Sequence, residues 1–209
     1  MRKWNPNSRS PEGSRSGNPI GVHEGYSVTR RPEGYSFFVV NVSAQNIPKV
    51  FLLLATRVGE PGFVTIEVGT HRDEETKLRR KDTDPLHKDA YYCDGLTRVA
   101  AANIFRKYEA LLVNDGGVNF GYGSHKGHDE VFIAAYKIFL IYADEPEKYR
   151  SALAQLGFEE KPKLKTVWDT FTKSSPGTRT VLQDVPVTIW DMIEELKGSG
   201  LRFAERREE

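Results

Sequence analysis

The sequence predicts one α+β domain, with a mixed or antiparallel sheet of about four strands packed by about four helices. Three observations carry this expectation. Short β-branched and aromatic runs recur between Gly- and Pro-rich breaks, one long apolar stripe has helical period, and 209 residues suffice for a single sizeable core. Hydrophobic residues make up 38% of the chain and charged residues 28%, which is ordinary globular usage, while a negative mean hydropathy assigns part of the chain to solvent.

That part is expected at the N-terminus. Residues 1–31 hold Arg2, Lys3, Arg9, Arg15, Arg30 and Arg31 against Glu12 and Glu24, among Ser, Asn, Pro and Gly. Such a segment buries too little apolar surface to offset the entropy of ordering it, so a disordered basic tail is expected over 1–31. The domain proper is expected over 32–200, with 201–209 a frayed end of alternating charge.

Within the domain, the run 35–42 is aromatic and β-branched after Pro32 and Gly34, the mark of a largely buried strand. A helix is expected over 46–57, where Ile47, Val50, Phe51 and Leu54 recur at three- and four-residue spacing and Pro48 suits a first turn. Residues 63–69 alternate, with Val64, Ile66 and Val68 on one face of a second strand. From 70 to 89 basic and acidic residues balance, which reads as a solvated loop. Asp94 caps an expected helix over 94–113, striped by Leu96, Val99, Ala100, Ile104, Tyr108, Leu111 and Leu112. A glycine-rich strand follows at 117–123, and 130–142 returns beside it as a hairpin, bent or broken near Ala134 and Ala135. Two more helices are expected, at 146–156 and, around Trp190, at 186–197.

Composition excludes several classes. Thirty basic residues against twenty-nine acidic ones give a net charge of +1, so the whole molecule has no bias toward nucleic acid or anionic membrane. Cys93 is the only cysteine, which rules out an internal disulfide and a cysteine-rich zinc site and fits a reducing compartment. The opening residues lack the apolar core of a secretory signal, and no apolar run reaches the ~20 residues that cross a bilayer. A soluble cytoplasmic protein is expected, with no membrane partner.

Four features invite chemistry. His125 and His128, with Asp129 beside them, offer a divalent metal nitrogen and oxygen ligands, yet a glycine separates the histidines and the helical register of a zinc protease is missing. Cys93 precedes the expected helix, where a thiol is activated, but Asp94 opposes the thiolate. The pairs Gly116-Gly117 and Gly121-x-Gly123 resemble phosphate loops only superficially, because no Gly-Lys-Ser/Thr follows. The tail, with Trp4 and Tyr26 among its arginines, offers stacking and phosphate neutralisation to a nucleic acid.

The segment from Leu111 to Phe171 carries Asn114-Asp115-Gly, Phe120-Gly-Tyr-Gly-Ser, Asp129-Glu, Ile141-Tyr-Ala-Asp-Glu-Pro-Glu-Lys-Tyr and Leu164-Lys-Thr-Val-Trp-Asp-Thr-Phe. It resembles small uncharacterised bacterial proteins and, more faintly, the immunity proteins that accompany secreted toxins. The resemblance implies binding to a protein partner, a toxin, rather than turnover, and it assigns no interface residue. The leading expectation is therefore a non-enzymatic protein-binding domain without a cofactor. The alternatives are a metal-assisted hydrolase on His125, His128 and Asp129, and a nucleic-acid accessory factor acting through the tail.

Overall fold

The computed structural model describes residues 21–182 and 185–208. Among these, eight strands form one antiparallel sheet, in the order β1-β2-β7-β6-β5-β3-β4-β8, accompanied by five α-helices. The strands are β1 (Gly25–Arg30), β2 (Ser36–Asn41), β3 (Gly62–Gly69), β4 (His87–Leu96), β5 (Val118–Ser124), β6 (Glu130–Ile133), β7 (Phe139–Ala143) and β8 (Arg202–Glu208). The helices are α1 (Ile47–Ala55), α2 (Arg72–Leu78), α3 (Arg98–Asn114), α4 (Pro146–Gln155) and α5 (Ile189–Lys197). The α+β class stands, but about four strands and about four helices was an underestimate of both counts.

Each missing strand has a physical reason. Residues 25–30, expected within the disordered tail, form β1, because Tyr26 is buried against Phe38 with ring centroids 5.9 Å apart. Backbone bonds from Tyr26 N to Glu159 O and from Lys161 N to Tyr26 O cover part of its outer edge. The rest of the expected tail, residues 1–20, lies outside the described residues. Residues 202–208, expected to fray, form β8 against β4, because their charges are answered across the ladder. Arg206 grips the buried Asp89 through two hydrogen bonds of 2.6 and 2.9 Å, and Arg202 and Arg207 pair with Asp94 and Glu67. The 70–89 stretch, expected to be a loop, contributes α2 and the start of β4. Asp94 lies in β4 rather than capping a helix, and α3 starts later, where Ala100 N donates to the Thr97 hydroxyl at 3.1 Å.

The long arm expected over 130–142 is two strands. A 3-10 turn at Ala135–Lys137 splits it into β6 and β7, which pair with each other and place β7 against β2. Tyr136 and Lys137 both adopt the left-handed region in this turn, at φ 60°. The turn holds Lys137 so that its ammonium donates to the carbonyls of Leu112 and Val118 at 2.8 and 2.9 Å, satisfying acceptors at the end of α3 and in β5.

One face of the sheet carries the core. Val64, Ile66, Phe120, Tyr122, Val131, Ile133, Phe139, Ile141, Phe38 and Val40 meet the buried sides of α1, α3, α4 and α5. Phe51 of α1 stacks on Phe105 of α3 at 4.5 Å and meets the edge of Phe120 at 5.1 Å, a three-ring contact that fixes both helices on the sheet. None of the described helices is long and apolar enough to cross a membrane.

Candidate functional site

Because side chains alternate along a strand, the antiparallel register decides what occupies the opposite face. Phe37 pairs with Tyr142, Val39 with Leu140, Phe132 with both Leu140 and Gly121, Glu130 with Tyr142 and Gly123, Phe63 with Gly123, and Thr65 with Gly121 and Tyr92. Phe37, Val39, Phe63, Tyr92, Phe132, Leu140 and Tyr142 are half-buried and stand outside the core cluster. The result is a broad aromatic and aliphatic surface that the described helices leave uncovered.

The two glycines of β5 shape its middle. A methyl group at position 121 would stand 2.6 Å from the Phe132 ring, and one at position 123 would stand 2.5 Å from Phe63, so both rings lie down on bare backbone. The carboxylate of Glu130 reaches the same place, 3.3 Å from where a Cβ of residue 121 would be. Phosphate binding is not needed to explain these glycines. Close approach of two rings and a carboxylate is.

Glu130 is the unusual group of this face. Its carboxylate has no hydrogen-bond partner among the described residues, and burial, reinforced by the charge of Glu67, pushes it up to about 7 against a weaker opposing pull from Arg207. Its neighbours on the face are all served. Glu67 accepts from Asn119 at 3.2 Å and pairs with Arg207, Glu205 pairs with Arg207, and Asp94 pairs with Arg202. The Thr65 hydroxyl, in a residue only 3% exposed, also lacks a hydrogen-bond partner. A buried polar atom left without a partner costs about 1–3 kcal/mol, so the Thr65 hydroxyl beside a carboxylate that is itself unpaired marks this place as more than ordinary packing.

The histidines flank the same end of the face but do not meet. His125 Nε2 lies 3.3 Å from Asp94 Oδ1 and its ring packs on Phe63 at 5.1 Å. His128 bonds Asp144 through its ring Nδ1 at 2.7 Å and its backbone N–H at 2.8 Å, and stacks on Tyr35 at 4.9 Å. Those bonds from His128 hold the Asp144 carboxyl below its ordinary value. Asp129 is buried and turned to Lys148. His125 is held apart from the other two, and Asp144, which takes His128 on its carboxylate, donates its backbone N–H to Asp129 Oδ1 at 3.4 Å; among the described residues no group of three or more His, Cys, Asp or Glu side chains is gathered for a cation.

Cys93 lies in β4 with its thiol toward the carbonyl of Ser199 at 3.4 Å, and burial followed by the charge of Asp94 raises it, the reverse of an activated nucleophile. Tyr26, considered as a stacking platform for nucleic acid, belongs to the core. A concavity of about 450 Å3 opens beside Lys137, Tyr136, Phe171 and Asn114. Burial lowers the Lys137 ammonium to about 8, offset in part by Asp115, but its hydrogen bonds to two backbone carbonyls give it a structural task. No protein-family model, no curated protein and no solved structure matches this chain.

Proposed function

We propose that the chain is a non-enzymatic protein-binding domain whose partner surface is the open sheet face. More narrowly, we propose a cytoplasmic immunity protein that neutralises a toxin by covering it. One observation carries the reading: Phe132, Leu140 and Tyr142 stand mid-sheet, outside the core, on a face with no described helix over it. Apolar surface of this kind on a soluble domain marks an interaction site more often than a packing defect. At a strand spacing of about 4.8 Å the patch from β2 to β4 is about 24 Å across, wide enough to seat an element of another protein. Neither alternative gains a comparable observation, since the described residues gather no metal-binding group and Tyr26 is internal.

The test uses the full chain as bait in extract of its source cell, as the natural protein, as Phe132→Asp with Leu140→Asp, and as the helix-surface control Val99→Asp, whose side chain on α3 is exposed. The recovered partner is then expressed alone and with each form. The expected result is that natural protein and control retain the partner and relieve its toxicity, while the double variant loses at least about tenfold in recovery and gives no relief. Retention of the partner by a correctly folded double variant contradicts the reading. A partner that is bound at this face but is not toxic removes the immunity assignment alone.

A further inference from the structure

The middle of the open face is built for something more specific than apolar contact. Glu130 lies over the backbone of Gly121 beside the Phe132 ring, with Phe63 on the neighbouring Gly123 and the unpartnered Thr65 hydroxyl opposite Gly121 in the ladder. The other carboxylates named on this face are each paired with an arginine: Glu67 and Glu205 share Arg207, which acts on Glu130 from a distance, and Asp94 holds Arg202. Glu130 is thus an acid with no cation in contact among aromatic rings, and Arg31, the other arginine of this face, lies over the Phe37 ring at 4.6 Å.

We infer that this place is a guanidinium subsite, in which an arginine from a basic segment of the partner protein seats on Glu130 between the rings of Phe63 and Phe132. The inference rests on the protein-binding reading above and names the chemistry of the partner. A carboxylate supplies the charge, and aromatic faces supply the cation–π attraction that favours a flat guanidinium over a strongly hydrated ammonium. The Thr65 oxygen adds an acceptor for a guanidinium N–H, reached when the side chains now covering it are displaced. Openness of the face argues for a side chain presented by a protein rather than a small enclosed ligand.

Proton linkage gives the subsite a signature. The groups that bear on Glu130 are Glu67 from β3, Tyr142 from β7 and Arg207 from β8. With the carboxyl titrating at about 7 when the site is empty, a bound cation draws the proton off. Binding thus strengthens as pH rises from 6 to 8 and releases a proton at the lower end of that window.

The experiment is a chemical-shift titration of the isotope-labelled full chain with a blocked Gly-Arg-Gly peptide, against the same peptide carrying citrulline, which keeps the shape of arginine without its charge. The arginine peptide is expected to move signals of Gly121, Gly123, Phe63 and Phe132, to lower the Glu130 titration midpoint, and to bind at least about tenfold more tightly than the citrulline peptide. Glu130→Gln is expected to erase the difference between the peptides. Phe63→Leu with Phe132→Leu, which keeps apolar area but removes the rings, is expected to reduce it several-fold. Equal binding of both peptides at these residues overturns the guanidinium assignment and leaves the open face as an apolar docking surface. Shifts scattered over other acidic sites, or none on this face, also overturn the subsite, while the capture experiment above separately decides whether the face binds a protein.

Discussion

At the scale of single residues, Glu130 connects the site to stability. Its carboxyl releases a proton near the ordinary 4.5 in the unfolded chain but only at about 7 in the folded one, so between these values the folded state binds more protons. Stability is then greatest below about pH 4.5 on this account and falls as pH rises to 7, above which the full penalty remains. The charge of Glu130 is expected to cost on the order of 2 kcal/mol at pH 8, after allowance for its partial exposure. Denaturant unfolding of Glu130→Gln is expected to show a gain of about that size at pH 8 and almost none at pH 4.5. Nothing in the sequence separated Glu130 from the many carboxylates around it. Its environment comes from Glu67 and from two rings lying on glycines, and those contacts exist only after strands far apart in the chain have paired.

At the scale of elements, legibility followed the source of stability. The strand 62–69 and the helix 47–55 were readable because their apolar residues recur at period two or at three- and four-residue spacing and face one core, and the strand 36–41 because its run is aromatic and β-branched. The strands 87–96 and 202–208 were not, because charge pairing across the ladder holds them as much as burial does, and charge carries no periodic signature until its partner is known. Asp89 shows the mechanism. Burial alone would raise its carboxyl, but hydrogen bonds from Arg206 and Thr70 hold it below its ordinary value. Removing Arg206 leaves that carboxylate buried with only the Thr70 hydroxyl, at 2.7 Å, to meet it. Arg206→Ala is therefore expected to cost about 3 kcal/mol, the scale of a broken buried pair, with amide exchange rising first along β8 and β4. Loss of less than about 0.5 kcal/mol, or an unchanged exchange pattern, would show that β8 is held by its backbone ladder alone.

For the molecule as a whole, the described helices divide the sheet into a face that carries the core and a face that they leave open. The open face was half-legible. The run 35–42 and the segment 138–142 are apolar at consecutive positions, not at alternate ones, which in an antiparallel sheet means that both faces are apolar. Read as deep burial, that pattern suggested more core. With all the core-forming helices on one side, it describes a surface. The histidines drew attention because of their chemistry, but they sit at the rim and are engaged by Asp94 and Asp144. The glycines of β5 are the places where rings and a carboxylate approach the backbone.

Cross-saturation of the labelled chain in complex with its captured partner tests most directly the proposal that the open face is the partner surface. The predicted result is saturation transferred to Val39, Phe63, Phe132, Leu140 and Tyr142, with the exposed sides of α1, α3 and α4 untouched. Transfer confined to those helices, or to the concavity beside Lys137, would contradict it.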